Sequence, residues 1–315
     1  MSTNPSEPQA GEPQAGGTPP GPPWIDPTLQ QRVGWRDGDV VVSVPPKSGT
    51  TWTMNIVHQL RSGGDPAFFD VYQEVPWLEL VPRPDSDRDA IVATFDAMAR
   101  DRRRAFKTHA GPPELPYVQP GAGTDVRYVV VVRNPDEAVA SFRPFLAAHS
   151  DEFFGLWGID PGDIIGPDFP SFFAGMGSHG LTPKIFGFVA GWWPLRHQPN
   201  VLFVHYADLV AEPEPSIRQI ADFLGFEVTE GRWPAILDYT SFAWMKEHED
   251  KFELRSVSDV PPISPGGMLR KGRVGASKDD GITPEISSSI AEIGRTILTD
   301  PAAFTWMYQG GPLPA

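Results

Sequence analysis

Lys47-Ser48-Gly49-Thr50-Thr51 is the stretch of this chain whose residue types point most directly to chemistry. One ammonium, three hydroxyls and a glycine stand between an apolar run, Val40–Val44, and an amphipathic stretch that begins near Thr51. A strand, a short loop and a helix in that order turn the first backbone N–H groups of the helix into the loop, and the macrodipole adds positive potential there. Such a loop suits a phosphate or a sulfonate, with Gly49 letting the backbone come close and Lys47 supplying charge. It is not the G-x-x-x-x-G-K-[ST] triphosphate loop, because Lys47 precedes the glycine and the first glycine is missing. An ordinary N-capped helix beside a solvated lysine is the other reading of the same five residues.

The elements that must position this loop follow from periodicity. Val40–Val44, Ala105–Thr108, Tyr128–Val132 and Val201–Val204 read as buried strands, with helices near Thr51–Arg61, Pro135–Ala147 and Pro215–Leu224. Short β-branched runs alternating with amphipathic stretches predict an α/β class with a parallel sheet covered by helices. Ile217, Ile220, Ala221 and Leu224 give the last helix one core face. Residues 1–23, dominated by Pro, Gly, Gln, Ser and Thr, predict a disordered tail, leaving one domain over 24–315. Asp151–Gly180 lacks periodicity and is long for a connection, so it is expected to be a lid or flap, as is the Pro/Gly-dense Val260–Gly275.

Composition narrows the class. The 315 residues are 40% hydrophobic and 21% charged, with a formal net charge of −14. That balance opposes nucleic-acid or anionic-membrane binding, which needs a cationic surface. No apolar window reaches the length of a membrane span, the start lacks the pattern of a secretory signal, and there is no cysteine for disulfides or thiolate metal sites. A cytoplasmic enzyme without a metal is the expectation, and an anion site in such a chain has to gather its cations locally.

Pro46-Lys-Ser-Gly-Thr-Thr-Trp52 resembles the 5′-phosphosulfate loop of the cytosolic-type sulfotransferases, which use 3′-phosphoadenosine 5′-phosphosulfate (PAPS). The resemblance continues in order along the chain. Arg127-Tyr-Val-Val-Val-Val-Arg-Asn-Pro-Asp-Glu-Ala-Val-Ala-Ser141 is similar to the strand and helix that hold the 3′-phosphate, with Arg133 and Ser141 at the family's spacing. Phe106-Lys-Thr-His109 resembles the segment of the catalytic histidine, Tyr239-Thr-Ser-Phe242 an adenine-binding turn, and Leu269-Arg-Lys-Gly-Arg-Val-Gly275 the C-terminal Arg-Lys-Gly loop. One departure is plain: where the family continues Gly-Asp-Trp-Lys, this chain reads Gly275-Ala-Ser-Lys278. The resemblance implies a single P-loop-kinase-like domain and no metal.

It also assigns roles. His109 becomes the general base for the acceptor hydroxyl, histidine being the side chain whose ordinary pKa lies nearest neutrality. Lys47 neutralises the departing nucleotide, Lys107 touches the transferring sulfonate, and Ser141 couples the 3′-phosphate helix to Lys47. Ser48, Gly49, Thr50 and Thr51 cradle the 5′ end, while Arg133, Ser141, Arg270, Lys271 and Gly272 hold the 3′-phosphate. Trp52 and Phe242 sandwich the adenine, beside Tyr206 and Thr240. Gly187–Trp193 and Val201–Asp208 resemble a family helix and strand and are expected to serve packing. The other histidines, His58, His149, His179, His197, His205 and His248, show no metal-ligand spacing, with His149 nearest a prospective pocket.

The leading expectation is a PAPS-dependent transfer of sulfonate to a small alcohol or phenol, releasing adenosine 3′,5′-bisphosphate, by an enzyme whose relatives are often homodimers. Phe68, Phe69, Tyr72 and Trp77, with Phe145, Phe153, Phe154 and Phe172 further on, suggest an apolar or aromatic acceptor, whereas Glu74, Glu79 and Asp151 leave a sugar or an amine open. A kinase with a variant phosphate loop and a nucleotide-binding regulator without catalysis are the alternatives.

Overall fold

The computed structural model describes residues 21–315. Within them, four parallel strands form one sheet in the order β2-β1-β3-β4. β1 is Asp39–Ser43 and leads through the Lys47 loop into α1, Thr50–Ser62. β2 is Ala105–Thr108, and β3, Val126–Val132, leads into α2, Pro135–Leu146. α3, Thr182–Trp192, precedes β4, Val201–His205; α4, Pro213–Leu224, α5, Phe242–Glu247, and α6, Pro284–Ile297, complete the set that bears on the site. β1 sits at the centre, with Val41 opposite both Phe106 of β2 and Tyr128 of β3. Its C-terminal end, where the loop begins, is therefore flanked by the ends of both neighbours, the position at which open α/β sheets bind ligands.

Strand alternation divides the core in two. Val41, Tyr128, Val130 and Val132 pack on one face with Val139 and Ala140 of α2, Phe186 and Val189 of α3 and Ile290 of α6. Val40, Val42, Val129 and Val131 pack on the other with Met54, Ile56 and Leu60 of α1 and Ile217, Ile220 and Leu224 of α4. Successive strand side chains point to opposite faces, so a run of valines buried on both sides is what a helix-covered parallel sheet requires. Each fully buried valine contributes about 1.5–3 kcal/mol. Asp208, at the end of the segment expected to serve packing, accepts the Gly311 N–H through its carboxylate at 2.8 Å.

Asp151–Gly180 differs from its expected irregularity. It forms three short helices, Asp151–Trp157, Pro161–Ile165 and Phe169–Phe172, and then a nine-residue π-helical stretch, Phe173–Leu181, that runs into α3. Each has a side-chain N-cap, Ser150, Asp160 and Asp168, but four to seven residues are too few for a helical period to show in the sequence. Val260–Gly275 contains no helix or strand and is tied to the residues after α2 by Ser150 N–H to Pro262 and Ser264 N–H to Ala148. Residues 1–20 of the expected tail lie outside the described residues, while Gly21, Pro22 and Pro23 stand at the rim of the cavity described next.

Candidate active site

A cavity of about 1630 Å³ opens at the C-terminal edge of the sheet, lined by the Lys47 loop, the end of β2, α2 and the Val260–Gly275 segment. The loop is built for an anion. Lys47 and Gly49 adopt left-handed backbone angles, φ 63° and φ 96°, which turn the chain sharply into α1. No side chain caps α1, so its first N–H groups have no protein acceptor. Ser48 Oγ and Thr50 Oγ1 are buried without a partner. Buried polar groups are nearly always satisfied, so these orphans fit a ligand rich in acceptor oxygens. Tyr206 closes the loop's other side: a Cβ on Gly49 would lie 2.7 Å from its ring, so the glycine is required for contact as well as for φ.

At the end of β2, His109 Nδ1 lies 2.6 Å from the carbonyl oxygen of Val44. A carbonyl only accepts, so Nδ1 carries the hydrogen and Nε2 is left with its bare lone pair. Burial, then the charge of Lys107, then Lys184 and Lys47 push the His109 pKa well below the usual histidine range, against the hydrogen bond to Val44. The ring is therefore neutral at physiological pH and able to take a proton. Lys107 is buried with its ammonium against the Trp77 ring, and Trp77 also stands edge-on to His109 with centroids 5.0 Å apart. Lys47 lies over the Phe145 ring, and burial, with Arg133 and Arg270 nearby, lowers its pKa to about 7.

The cations assigned to the 3′-phosphate do meet at this cavity, together with Ser141, but they are not free. Arg133 forks onto Glu137 Oε2 at 2.8 and 3.1 Å and donates to the Lys47 carbonyl at 3.0 Å. Arg270 forks onto Asp280 at 2.6 and 2.9 Å, and Lys271 reaches the same carboxylate at 2.9 Å. Glu137 also accepts the backbone N–H of Gly275, which binds the Arg-Lys-Gly loop to α2. These two acids were not singled out in sequence; the acids of Lys278–Asp280, following the Gly275-Ala-Ser-Lys278 departure, were the available sign. Replacing Asp280 with Asn should tighten adenosine 3′,5′-bisphosphate about fivefold, since a partly exposed pair is worth about 1 kcal/mol at most. Calorimetry would read this directly, and an unchanged or weaker affinity would refute it.

Trp52, Tyr206, Thr240 and Phe242 line the same cavity. Trp52 Nε1 donates to the Thr240 carbonyl at 2.8 Å, and the Thr240 hydroxyl donates to Ile236, so Thr240 offers shape more than a hydrogen bond. Phe242, 40% exposed at the start of α5, lies against Gly272, where a Cβ would come within 2.3 Å of the ring.

The expected acceptor residues divide. Tyr72, Trp77, Phe145 and Phe153 line the cavity. Phe68, Phe154 and Phe172 are buried behind it, and Phe69 is 52% exposed outside, where Arg255 covers its ring. Glu74 is taken up by Arg61 and Arg102, and Asp151 is exposed at a helix start, so neither reaches the cavity. Trp24 and Lys184 line it and were missed, having no local motif, and Phe188 of Gly187–Trp193, expected to serve packing, lines it too. His149 and His179 line it as well; His149 is ringed by Trp24, Phe145, Phe153 and Phe154, and burial lowers its pKa to about 4. Among the described residues no cluster of three or more His, Asp or Glu is arranged to hold a metal ion, and no helix is long and apolar enough to cross a membrane.

An α/β transferase that moves an anionic group is the class of protein this arrangement defines. The profile of the family described as "Sulfotransferase domain" matches residues 37–305. Among curated proteins, rat Sulfotransferase 1A1 is 28% identical over 80% of this chain and 81% of its own length, and mouse Sulfotransferase 2B1 is 26% identical over 86% and 74%. Among solved structures, mouse sulfotransferase SULT7A1 complexed with PAP superposes with a TM-score of 0.64 at 19% identity over 90% of this chain and 93% of that one. Retinol dehydratase in complex with retinol and PAP gives 0.64 at 21% identity over 87% and 84%. The chain belongs to the sulfotransferase domain family. The match makes it a sulfotransferase by family, not a kinase with a variant loop.

Proposed function

We propose that residues 24–315 form the catalytic domain and move the sulfonate of PAPS to the hydroxyl of a small, mainly apolar or aromatic acceptor, with His109 as general base. The observation that carries this reading is the 2.6 Å contact of His109 Nδ1 with the Val44 carbonyl oxygen, which leaves Nε2 to take a proton, at a cavity shared with the Lys47 loop. The donor supplies an activated sulfonate whose transfer passes through a loose, anionic transition state, by analogy with phosphoryl transfer. The protein then has to align and to stabilise charge. His109 Nε2 takes the proton of the acceptor hydroxyl. Lys47 offsets charge on the departing nucleotide, Lys107 leaves the Trp77 face for the sulfonate oxygens, and Ser48 and Thr50 donate their unpartnered hydroxyls. Arg133, Arg270, Lys271 and Ser141 exchange Glu137 and Asp280 for the 3′-phosphate, and Trp52, Tyr206 and Phe242 enclose the adenine.

Tyr72, Trp77, Phe145 and Phe153 on the cavity wall favour an apolar or aromatic acceptor over a sugar. Asp151–Gly180 contributes Phe153 and Ile164 from its short helices and Met176 and His179 from its π-helical stretch to that wall, which supports its role as a lid. A cytoplasmic setting and a homodimer belong to this reading through the family resemblance. Thermal unfolding tests the donor site: saturating adenosine 3′,5′-bisphosphate at about 100 times its Kd adds about 2.7 kcal/mol and should raise the Tm by several degrees without metal. A larger rise for ATP with magnesium, or none for the bisphosphate, would overturn the reading. A screen in which only sugars accept sulfonate would overturn the apolar acceptor.

A further inference from the structure

The segment Pro76–Glu79 extends the sheet beyond β2 without being a strand. Lys107 N–H donates to the Pro76 carbonyl at 2.8 Å, and Leu78 N–H donates to the Lys107 carbonyl at 2.9 Å. The next backbone donor along, the N–H of His109, meets no carbonyl of that segment. It donates instead to Glu79 Oε1 at 2.7 Å, so a side-chain carboxylate completes the ladder where the backbone has diverged. Glu79 is 2% exposed, and its other oxygen, Oε2, is buried without a protein partner. A carboxylate buried with half its capacity unused is costly. What sets this one apart is its address, the main chain of the general base, two residues from the Trp77 ring that contacts both His109 and the Lys107 ammonium.

We propose that Glu79 is a positioning residue for the transfer: by gripping the His109 backbone amide it holds the imidazole where Nδ1–H reaches Val44 and Nε2 faces the acceptor. His109 is held at two points, by the Glu79 carboxylate on its main-chain N–H and by the Val44 carbonyl on its ring. Charged groups facing it are Lys107, Lys47 and Lys184, with Glu79 the counter-charge beside Lys107. The proposal rests on His109 being the base, and it assigns Glu79 no contact with substrate.

The test uses full-length protein labelled with ¹⁵N-histidine, the His109 imidazole signals being identified by their loss in His109→Ala. In the parent protein at neutral pH they should show a single tautomer with the hydrogen on Nδ1. Glu79→Ala should convert this to a mixture of both tautomers, and Glu79→Gln, which keeps an acceptor oxygen for the amide, should restore the parent pattern. Adenosine 3′,5′-bisphosphate should bind all three proteins within about twofold of the same Kd, since Glu79 does not line the cavity. A parent tautomer pattern in Glu79→Ala would overturn the proposal; so would a Glu79→Gln protein that folds and binds the bisphosphate yet shows the mixture. A parent protein with its hydrogen on Nε2 would overturn the underlying assignment of His109 as base.

Discussion

Replacing His109 with Ala is expected to lower kcat by about 10²–10⁴-fold while leaving the Kd for adenosine 3′,5′-bisphosphate within about twofold. The asymmetry follows from geometry. The imidazole is anchored to Val44 and packed on Trp77, and no proposed nucleotide contact depends on it. Losing it removes the proton acceptor alone, so binding energy survives and chemistry does not. Isothermal titration and single-turnover rates on the same preparation separate the two. A variant retaining more than a tenth of the parent rate would show that another group or water takes the proton, and a protein that binds nucleotide but never transferred sulfonate would be a regulator.

Lys47→Met is expected to cost about 10²–10³-fold in kcat, comparable to removing one preorganised donor from a developing oxyanion. It should also change how donor affinity depends on pH. Burial together with Arg133 and Arg270 brings the Lys47 pKa down to about 7 when no anion is present, so near neutrality the side chain is partly uncharged. The doubly anionic end of the donor favours the ammonium and raises that pKa on binding. Above pH 7 the free enzyme must therefore take up a proton as it binds, and Kd rises toward tenfold per pH unit; below pH 7 Lys47 is already charged and the dependence flattens. The Met variant should lose the slope above pH 7. A parallel slope in both proteins would assign the titration to another group.

How much of this was legible in the sequence depended on distance along the chain. β1, β3 and β4 were delimited to within two residues, because valine-rich runs buried on both faces leave a clear local pattern, and β2, Ala-Phe-Lys-Thr without a valine, was delimited to the residue. The Lys47 loop and the His109 segment were legible for the same reason, being short contiguous motifs at strand ends. Glu137 and Asp280 were not, since what they do depends on Arg133 one helical turn away and on a loop that returns some 140 residues later. Trp24 and Lys184 carry no signal either: the first reaches the cavity from the N-terminal segment and the second from α3, and only the folded chain brings them together. Phe68, Phe69, Phe154 and Phe172 show the converse, because proximity in sequence to lining residues does not say which side of a turn faces the cavity.

Glu137 and Asp280 have a consequence for what this acidic protein ignores. A bare basic groove is neutralised by mobile counter-ions, and any polyanion that releases them gains entropy by binding. Here the neutralising charges are tethered, present at a high local concentration and unable to diffuse away. Displacing them returns no ions to solvent, so the affinity for a nucleotide should depend only weakly on ionic strength. A long polyanion such as RNA gains nothing by lying across them. Only an anion small enough to enter the cavity and to satisfy Arg270 and Lys271 at once can compete, and the site is thereby screened from long polyanions.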